Sequence, residues 1–462
     1  MTDLPPGWVR TTIGDVCSVV SGATPKTTEP NYWDGNIPWI TPDDLSRNPA
    51  KITYHGRRFL TQDGFDSCST QMIPANAVLF SSRAPIGYIT ISGNAVCTNQ
   101  GFKTAVPPTG IDSNYLYWYL QFKVPEIRSR ASGTTFKEIS AKGFADTEML
   151  VPPLAEQWRI VNALEDHLSR LDVGLSGLES NVQRVANWRS SLLAAAVSGK
   201  LIEPKSPWKV ASIGDLAKVG TGATPLRSRK DYYDGGDIPW VTSGLLNEPF
   251  IDQADQFITS AALKETNVKL WPAGALLVAM YGEGKTRGKC AELRIPATTN
   301  QACAAIVFRE ESEWRRPWVK LFLQATYEKN RKLASGGVQP NLNLGLVRRI
   351  QIPLPSRSEQ DEILAEMDRQ LTIGDSLAAV LVRSRRRVDV LRAALLREAF
   401  TGRLVPQNPE DEPASVLLER IKAERTAMQT PKRRGSRTGP EAARTKSNSR
   451  MKSENTPRQE TL

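Results

Sequence analysis

Histidine is almost absent from this chain. The two residues present, His55 and His167, stand at unmatched positions, so no Ser/His or Cys/His nucleophile pair and no histidine-bearing zinc site is signalled. The five cysteines, Cys17, Cys68, Cys97, Cys290 and Cys303, are odd in number and include no C-x-x-C pair, which excludes an evident disulfide framework; they read as reduced thiols, mostly buried. No apolar run approaches the roughly 20 residues that a membrane span needs. The opening stretch, residues 1–7, lacks the basic and apolar regions of a signal peptide, so the expected location is cytoplasmic with no membrane partner. Also missing are an Asp-Pro-Pro-Tyr-type segment for amino-methyl transfer and a cofactor-binding glycine loop after a strand. The expectation is a chain with no catalytic machinery, metal or cofactor of its own.

Acidic residues are in deficit, 49 against 60 Lys and Arg, giving a net charge of +11 and a pI near 9.4. The excess is uneven. From Arg420 to Leu462 twelve Lys or Arg face four Glu, a net +8, which leaves the rest of the chain near neutral at +3. A nucleic-acid surface on the folded body must therefore be a local patch.

What the chain does have is an internal copy. Trp8, Ile13-Gly14-Asp15, Gly22-Ala23-Thr24-Pro25 and Tyr32-Trp33-Asp34-Gly35 recur 200 residues later as Trp208, Ile213-Gly214-Asp215, Gly222-Ala223-Thr224-Pro225 and Tyr232-Tyr233-Asp234-Gly235. Ile37-Pro38-Trp39 returns as Ile238-Pro239-Trp240, Thr98-Asn99-Gln100 as Thr299-Asn300-Gln301, and Ser198-Gly199-Lys200 as Thr401-Gly402-Arg403. The small drift in offset marks loop insertions. A repeat this long is a duplicated domain rather than a solenoid unit, and it predicts two similar surfaces related by a pseudo-two-fold axis.

Each half opens with short β-branched and aromatic runs broken by Gly, Pro and Asp-Gly turns, the pattern of an α+β domain. Each domain ends at a Pro-rich junction, Val151-Pro152-Pro153 and Ile352-Pro353-Leu354-Pro355. The period then changes. Val161, Leu164, Leu168, Leu171, Leu175, Leu178, Val182 and Val185 step by three and four, a coiled-coil seam. The second copy keeps the seam at Leu364, Met367, Leu371, Ala378, Leu381 and Val388 but has Gly374 and Arg385 where Leu171 and Val182 stand, so it is expected to need the first helix as antiparallel partner. The predicted layout is a first globular domain (1–153), a long helix and connector (154–203), a second globular domain (204–355), a distal long helix (356–405) and a basic tail without fixed structure (406–462). A single helix over 155–197 would be roughly 65 Å long, a spacer.

In this arrangement the chain resembles the specificity subunit of type I restriction-modification systems. The resemblance covers about residues 4–405 and rests on the paired openings at Trp8 and Trp208, the paired Ile-Pro-Trp segments, Ser82-Arg83-Ala84-Pro85-Ile86-Gly87, the two Thr-Asn-Gln triplets, and the helix entries at Glu156-Gln157 and Glu359-Gln360. It implies two target-recognition domains separated by two long antiparallel helices, each domain reading half of a split, asymmetric sequence on double-stranded DNA. It further implies a non-catalytic chain that recruits two modification (methyltransferase) subunits and restriction (translocase-nuclease) subunits. S-adenosylmethionine, ATP and Mg2+ would belong to those partners. A related system with a fused methyltransferase-nuclease, an orphan reader serving a methyltransferase alone, and a self-contained NTP-driven DNA enzyme are the alternatives.

The last alternative rests on Gly282-Glu283-Gly284-Lys285-Thr286, which looks like the end of a P-loop, but Ala279 stands where that motif needs its first glycine. The equivalent loop of the first copy, around Arg83, has no Gly-Lys-Thr. DNA contact is the better use of these loops: Arg83 in one copy, Lys285, Arg287 and Lys289 in the other, where cations on Gly-rich loops can reach phosphates or guanine edges. A second matched pair follows basic segments: Arg128, Arg130 and Lys137 around Ser132-Gly133, and Arg331 and Lys332 before Ser335-Gly336-Gly337, with Gln339 and Asn341 able to pair with adenine. Residues that recur unchanged should not read different half-sites. Asn99-Gln100 and Asn300-Gln301 are therefore expected to make framework hydrogen bonds, Trp33, Trp39 and Trp240 to be core, and Asp15 and Asp215 to brace turns. The outward helix faces near Trp158, Trp188 and Arg189 are the expected docking sites for the modification subunits.

Overall fold

The computed structural model describes residues 4–83, 85–133, 137–281, 286–328 and 342–429. Two compact units make it up, residues 1–165 with 395–462 and residues 166–394, with both divisions falling inside the long helices.

In the first unit, strands β1 (Val9–Thr12), β2 (Ser18–Ser21), β3 (Trp33–Ile40), β4 (Ile52–Thr53), β5 (Arg58–Leu60), β6 (Val78–Ser81), β7 (Ile89–Ser92), β8 (Cys97–Thr98), β9 (Phe102–Val106) and β10 (Glu148–Val151) form three sheets. Their orders are β2-β9-β6-β7-β4, β5-β3-β8 and β1-β10. The β6 run Val-Leu-Phe-Ser is buried throughout because both faces of its sheet are covered. The helix Ser113–Ser129 packs Tyr115, Tyr119 and Phe122 around Phe400, whose ring lies 5.4, 5.1 and 5.4 Å from theirs. Phe400 comes from the end of the second long helix.

The second unit repeats this plan with β11 (Lys209–Ser212), β12 (Ala217–Thr221), β13 (Ile238–Val241), β14 (Phe250–Ile251), β15 (Phe257–Ile258), β16 (Leu270–Trp271), β17 (Leu276–Ala279), β18 (Cys290–Leu293), β19 (Ala297–Thr299), β20 (Cys303–Phe308) and β21 (Gln351–Leu354). The orders β12-β20-β17-β18-β14, β15-β13-β19-β16 and β11-β21 match the first unit strand for strand, apart from β16. Alternation along β17 splits its side chains between two cores. Leu276 and Val278 join Leu192, Ala196, Ile363 and Met367 of the long helices, while Leu277 and Ala279 join Val241 and Leu246.

The long helices run unbroken over Leu154–Val197 and Arg357–Phe400, 44 residues each. Within the second unit they are antiparallel. Arg392–Asp172, Arg385–Glu179 and Arg189–Asp375 are ion pairs in one constant register. Such exposed pairs add little stability singly. Their shared register means that Arg385, a break in the apolar seam, is matched by an acid on the facing helix. Gly374, the other break, is filled from the opposite side: a Cβ there would meet the Trp188 indole. Trp188 thus meets the gap that glycine leaves and Arg189 pairs with the facing helix, while both side chains stay partly exposed. Val182, expected in the seam, is exposed.

The tail also departs from expectation. Residues 414–429 form a helix (Ala414–Gln429) that buries Ala414, Leu417, Leu418 and Ile421. The Ala414 amide donates to the Gly7 carbonyl at 2.9 Å, and the Arg425 guanidinium donates to the Gly14 and Asp15 carbonyls at 3.0 and 2.6 Å. Basic composition concealed an amphipathic stripe that the first unit covers. Residues 430–462 lie outside the described residues.

Candidate nucleic-acid interface

The recurring motifs converge on one structural node in each unit. In the first, Gly22 has no room for a side chain, because a Cβ would collide with the Thr98 and Asn99 carbonyls. The Ala23 amide donates to the Thr98 carbonyl at 3.0 Å, and the Trp39 indole N–H donates back to the Ala23 carbonyl at 3.1 Å. The Thr24 hydroxyl donates to Gln100 Oε1, and Asn99 Oδ1 accepts the Gly101 amide at 2.9 Å. The second unit reproduces three of these four bonds: Trp240 to the Ala223 carbonyl at 3.2 Å, Thr224 to Gln301 Oε1 at 2.5 Å, and the Ala302 amide to Asn300 Oδ1 at 3.1 Å. Asn-Gln is thus framework, as its repetition suggested. Asp15 and Asp215 likewise brace turns, each accepting from the hydroxyl of Thr12 or Ser212 at 2.7 Å.

On this node sits an aromatic pair. Trp33 stands edge-on to Trp39 at 5.1 Å, and Tyr233 to Trp240 at 6.2 Å. Each pair carries a guanidinium that sequence reasoning did not single out: Arg58 lies 3.3 Å over Trp33, and Arg227 lies 5.1 Å from Tyr233 and 5.0 Å from Trp240. Only the fold reveals them, because the two arginines occupy non-equivalent positions, Arg58 on a strand and Arg227 in a turn.

Among the expected contact residues, Arg83 and Lys137 are brought close by pairing of their loops. Arg83 and Ser132 both bridge Glu138, and the Ile139 amide donates to the Ser82 carbonyl at 3.1 Å. Glu138 lies 3.8 Å from the Arg83 guanidinium and 3.3 Å from the buried Lys103 ammonium, whereas Lys137 is exposed. Arg128 and Arg130 are tied to their own domain. Arg128 donates to the Ile86 carbonyl at 2.8 Å, and Arg130 donates to the Thr147 hydroxyl at 2.6 Å and the Gly143 carbonyl at 3.1 Å. In the second unit Arg287 and Lys289 flank Gly288, whose φ of 87° matches the 100° of Gly87 and marks the same turn. The Lys289 ammonium sits 5.2 Å over the Tyr327 ring. Lys285, Arg331, Lys332, Gln339 and Asn341 lie outside the described residues, as do residues 282–285 of the P-loop-like segment.

Of the docking residues, Trp158 is 52% exposed and lines a 430 Å³ cleft with Gly110, Leu154, Ala155, Leu417 and Ile421. Trp188 instead forms the floor of a 650 Å³ apolar groove on the helix pair with Val185, Ile373, Leu377 and Leu381. Burial pushes the Cys17, Cys290 and Cys303 thiols up to about 12 and Cys97 to about 11, which keeps them protonated and unreactive. Among the described residues no cluster of metal ligands is found, and no helix is long and apolar enough to cross a membrane.

Comparison with known proteins agrees with this architecture. The type I restriction modification DNA specificity domain matches residues 5–175 and again 205–373. The type I restriction enzyme MjaIX specificity subunit of Methanocaldococcus jannaschii is 29% identical over 293 residues, covering 61% of this chain and 67% of its own. The EcoKI specificity subunit of Escherichia coli is 24% identical, covering 92% and 97%. Among solved structures, a chain from a study of complex assembly and conformational transition in the type I R-M system superposes with a TM-score of 0.70 at 18% identity, over 87% of this chain and all of that one. The HsdS subunit from Thermoanaerobacter tengcongensis gives 0.56 at 19%, over 87% and 98%.

Proposed function

The chain belongs to the type I restriction modification DNA specificity family, as a recognition subunit rather than a catalytic one, and from that premise we propose that it reads a bipartite, asymmetric target on double-stranded DNA, one domain per half-site. The observation that carries this reading is two domains with one strand order and one framework node but different exposed side chains around it. Arg83 and Lys137, brought together by their paired loops, and Arg287 and Lys289 at the matching turn are the proposed contacts to phosphates or base edges. Lys285, Arg331, Lys332, Gln339 and Asn341 retain that role from the sequence alone. Arg128 and Arg130 serve indirectly, by holding the loop ends.

Two modification subunits dock, in this reading, on the helical surfaces. The apolar groove floored by Trp188, with Ile373 and Leu377 half-exposed along it, suits a partner helix, and exposed Trp158 suits a second contact. The methyl donor S-adenosylmethionine, and the ATP and Mg2+ of any restriction subunit, bind those partners. Mapping methylated bases genome-wide in the host with and without this chain tests the proposal. A gapped, non-palindromic motif should vanish with the chain; an unchanged methylation pattern would refute it.

A further inference from the structure

Duplication explains why the two nodes share their aromatic pair. It does not explain the arginines. Arg58 lies on β5, directly across from Trp39 in the strand pairing. At that place the second domain has Gln256, whose carbonyl accepts the Trp240 amide at 2.9 Å. Arg227 is the second residue after Pro225, and there the first domain has Thr27. The cation has therefore changed its place in the sequence while staying against the equivalent aromatic pair, over Trp33 in one domain and beside both Tyr233 and Trp240 in the other. In the second domain Gln256 Oε1 accepts from Arg227 at 3.2 Å, so the residue standing in the first domain's arginine position helps hold the relocated guanidinium.

Their sequence neighbours show what a structural arginine looks like here. Arg57 is neutralised by Asp43 and Asp44, and Arg229 by Asp231 and Glu265. Arg58 and Arg227 are exposed and have no carboxylate partner among the described residues. A guanidinium lying on an aromatic face has its plane fixed and its rotamer freedom reduced, yet its N–H donors project from the edge and remain available. That is the preorganised fork that pairs bidentately with the O6 and N7 of guanine. Because the two forks spring from different backbone positions, they approach the duplex differently, as readers of different half-sites must.

We infer that Arg58 and Arg227 are specificity-determining residues, each reading one guanine in the major groove of its own half-site. The inference rests on the chain being a two-domain DNA reader.

The test uses the full chain assembled with its modification subunits and duplexes carrying the target found by methylation mapping, together with variants changed one base pair at a time, with binding measured at two salt concentrations. Arg58→Ala should weaken target binding ten- to a hundredfold and abolish preference at one G·C pair of the first half-site, leaving the second half-site read as before; Arg227→Ala should do the converse. Arg58→Lys and Arg227→Lys keep a cation over the ring and should lose the same preference. A uniform loss on every duplex with a shallower salt dependence would overturn the inference, since it marks a phosphate anchor. So would intact preference with only a lowered melting temperature, which marks a brace for the aromatic pair. A wild-type complex that discriminates among none of the duplexes would overturn the DNA-reading function itself and this inference with it, whereas discrimination retained by both alanine variants overturns the inference alone.

Discussion

Glu156 and Glu359 occupy the same place in the two repeats, at the entry to a long helix, and their surroundings drive them apart. Burial raises Glu156, which accepts from the Trp8 indole at 3.0 Å and from Gln407 at 3.2 Å. The Ser356 hydroxyl and amide, at 2.6 and 2.8 Å, and the Lys205 amide at 3.1 Å hold Glu359 down to about 2. A carboxyl lowered on folding stabilises the native state above its unfolded value of about 4.3, and that contribution fades as pH falls from there toward 2. Glu359→Gln should thus lower the melting temperature at pH 7, and the gap from wild type should close as the pH is taken down toward 2; a gap constant with pH would show that the ionised carboxylate is not what matters. At this scale the sequence was legible where residues recur: framework Asn and Gln, turn-bracing Asp, core Trp. It was silent on Arg58 and Arg227, because cations that the fold brings to equivalent rings from non-equivalent positions, one on a strand and one in a turn, leave no shared motif.

At the scale of elements, the first long helix was readable to within a residue from its period, and the second began as expected but ends at Phe400 rather than at 405. Their pairing was less readable, since no period in the sequence shows that the Trp188 indole meets the gap at Gly374. The helix Ala414–Gln429 was hidden by the strongly basic stretch that follows it in the sequence. It supplies the first domain with something the second makes for itself. Arg309, on the second domain's own chain, caps the Gly214 and Asp215 carbonyls, and Arg425 does the same for Gly14 and Asp15. Proline stands in the first repeat where Arg309 stands in the second, at Pro107-Pro108. Ending the chain at Pro413 removes Arg425 and the buried Leu417, Leu418 and Ile421, each worth about 2 kcal/mol when fully buried. Amide exchange should then rise around residues 13–16 and 108–112 and stay unchanged around 213–216. Equal protection in both chains would mean that the helix is a passive extension.

The whole molecule was the most legible level, because a 200-residue offset shared by several motifs can arise only from duplication, and strand order bears it out. If the paired helices set the gap between half-sites, four residues inserted near Gly177, where a Cβ meets nothing within 4 Å, add about 6 Å of rise and close to one helical turn. Methylation assays on targets of altered spacing should then favour a gap longer by a couple of base pairs, and an unchanged optimum would rule out the ruler.

Each unit contains the first turns of one long helix and the last turns of the other: Glu156 and Phe400 in the first, Ile363 and Leu192 in the second. Neither half of the chain therefore folds on its own residues. A protease nick in the connector near residue 204 would sever the polypeptide without releasing either fragment, because each piece carries a wedge of the other's interior, and the halves stay clasped like links of a chain.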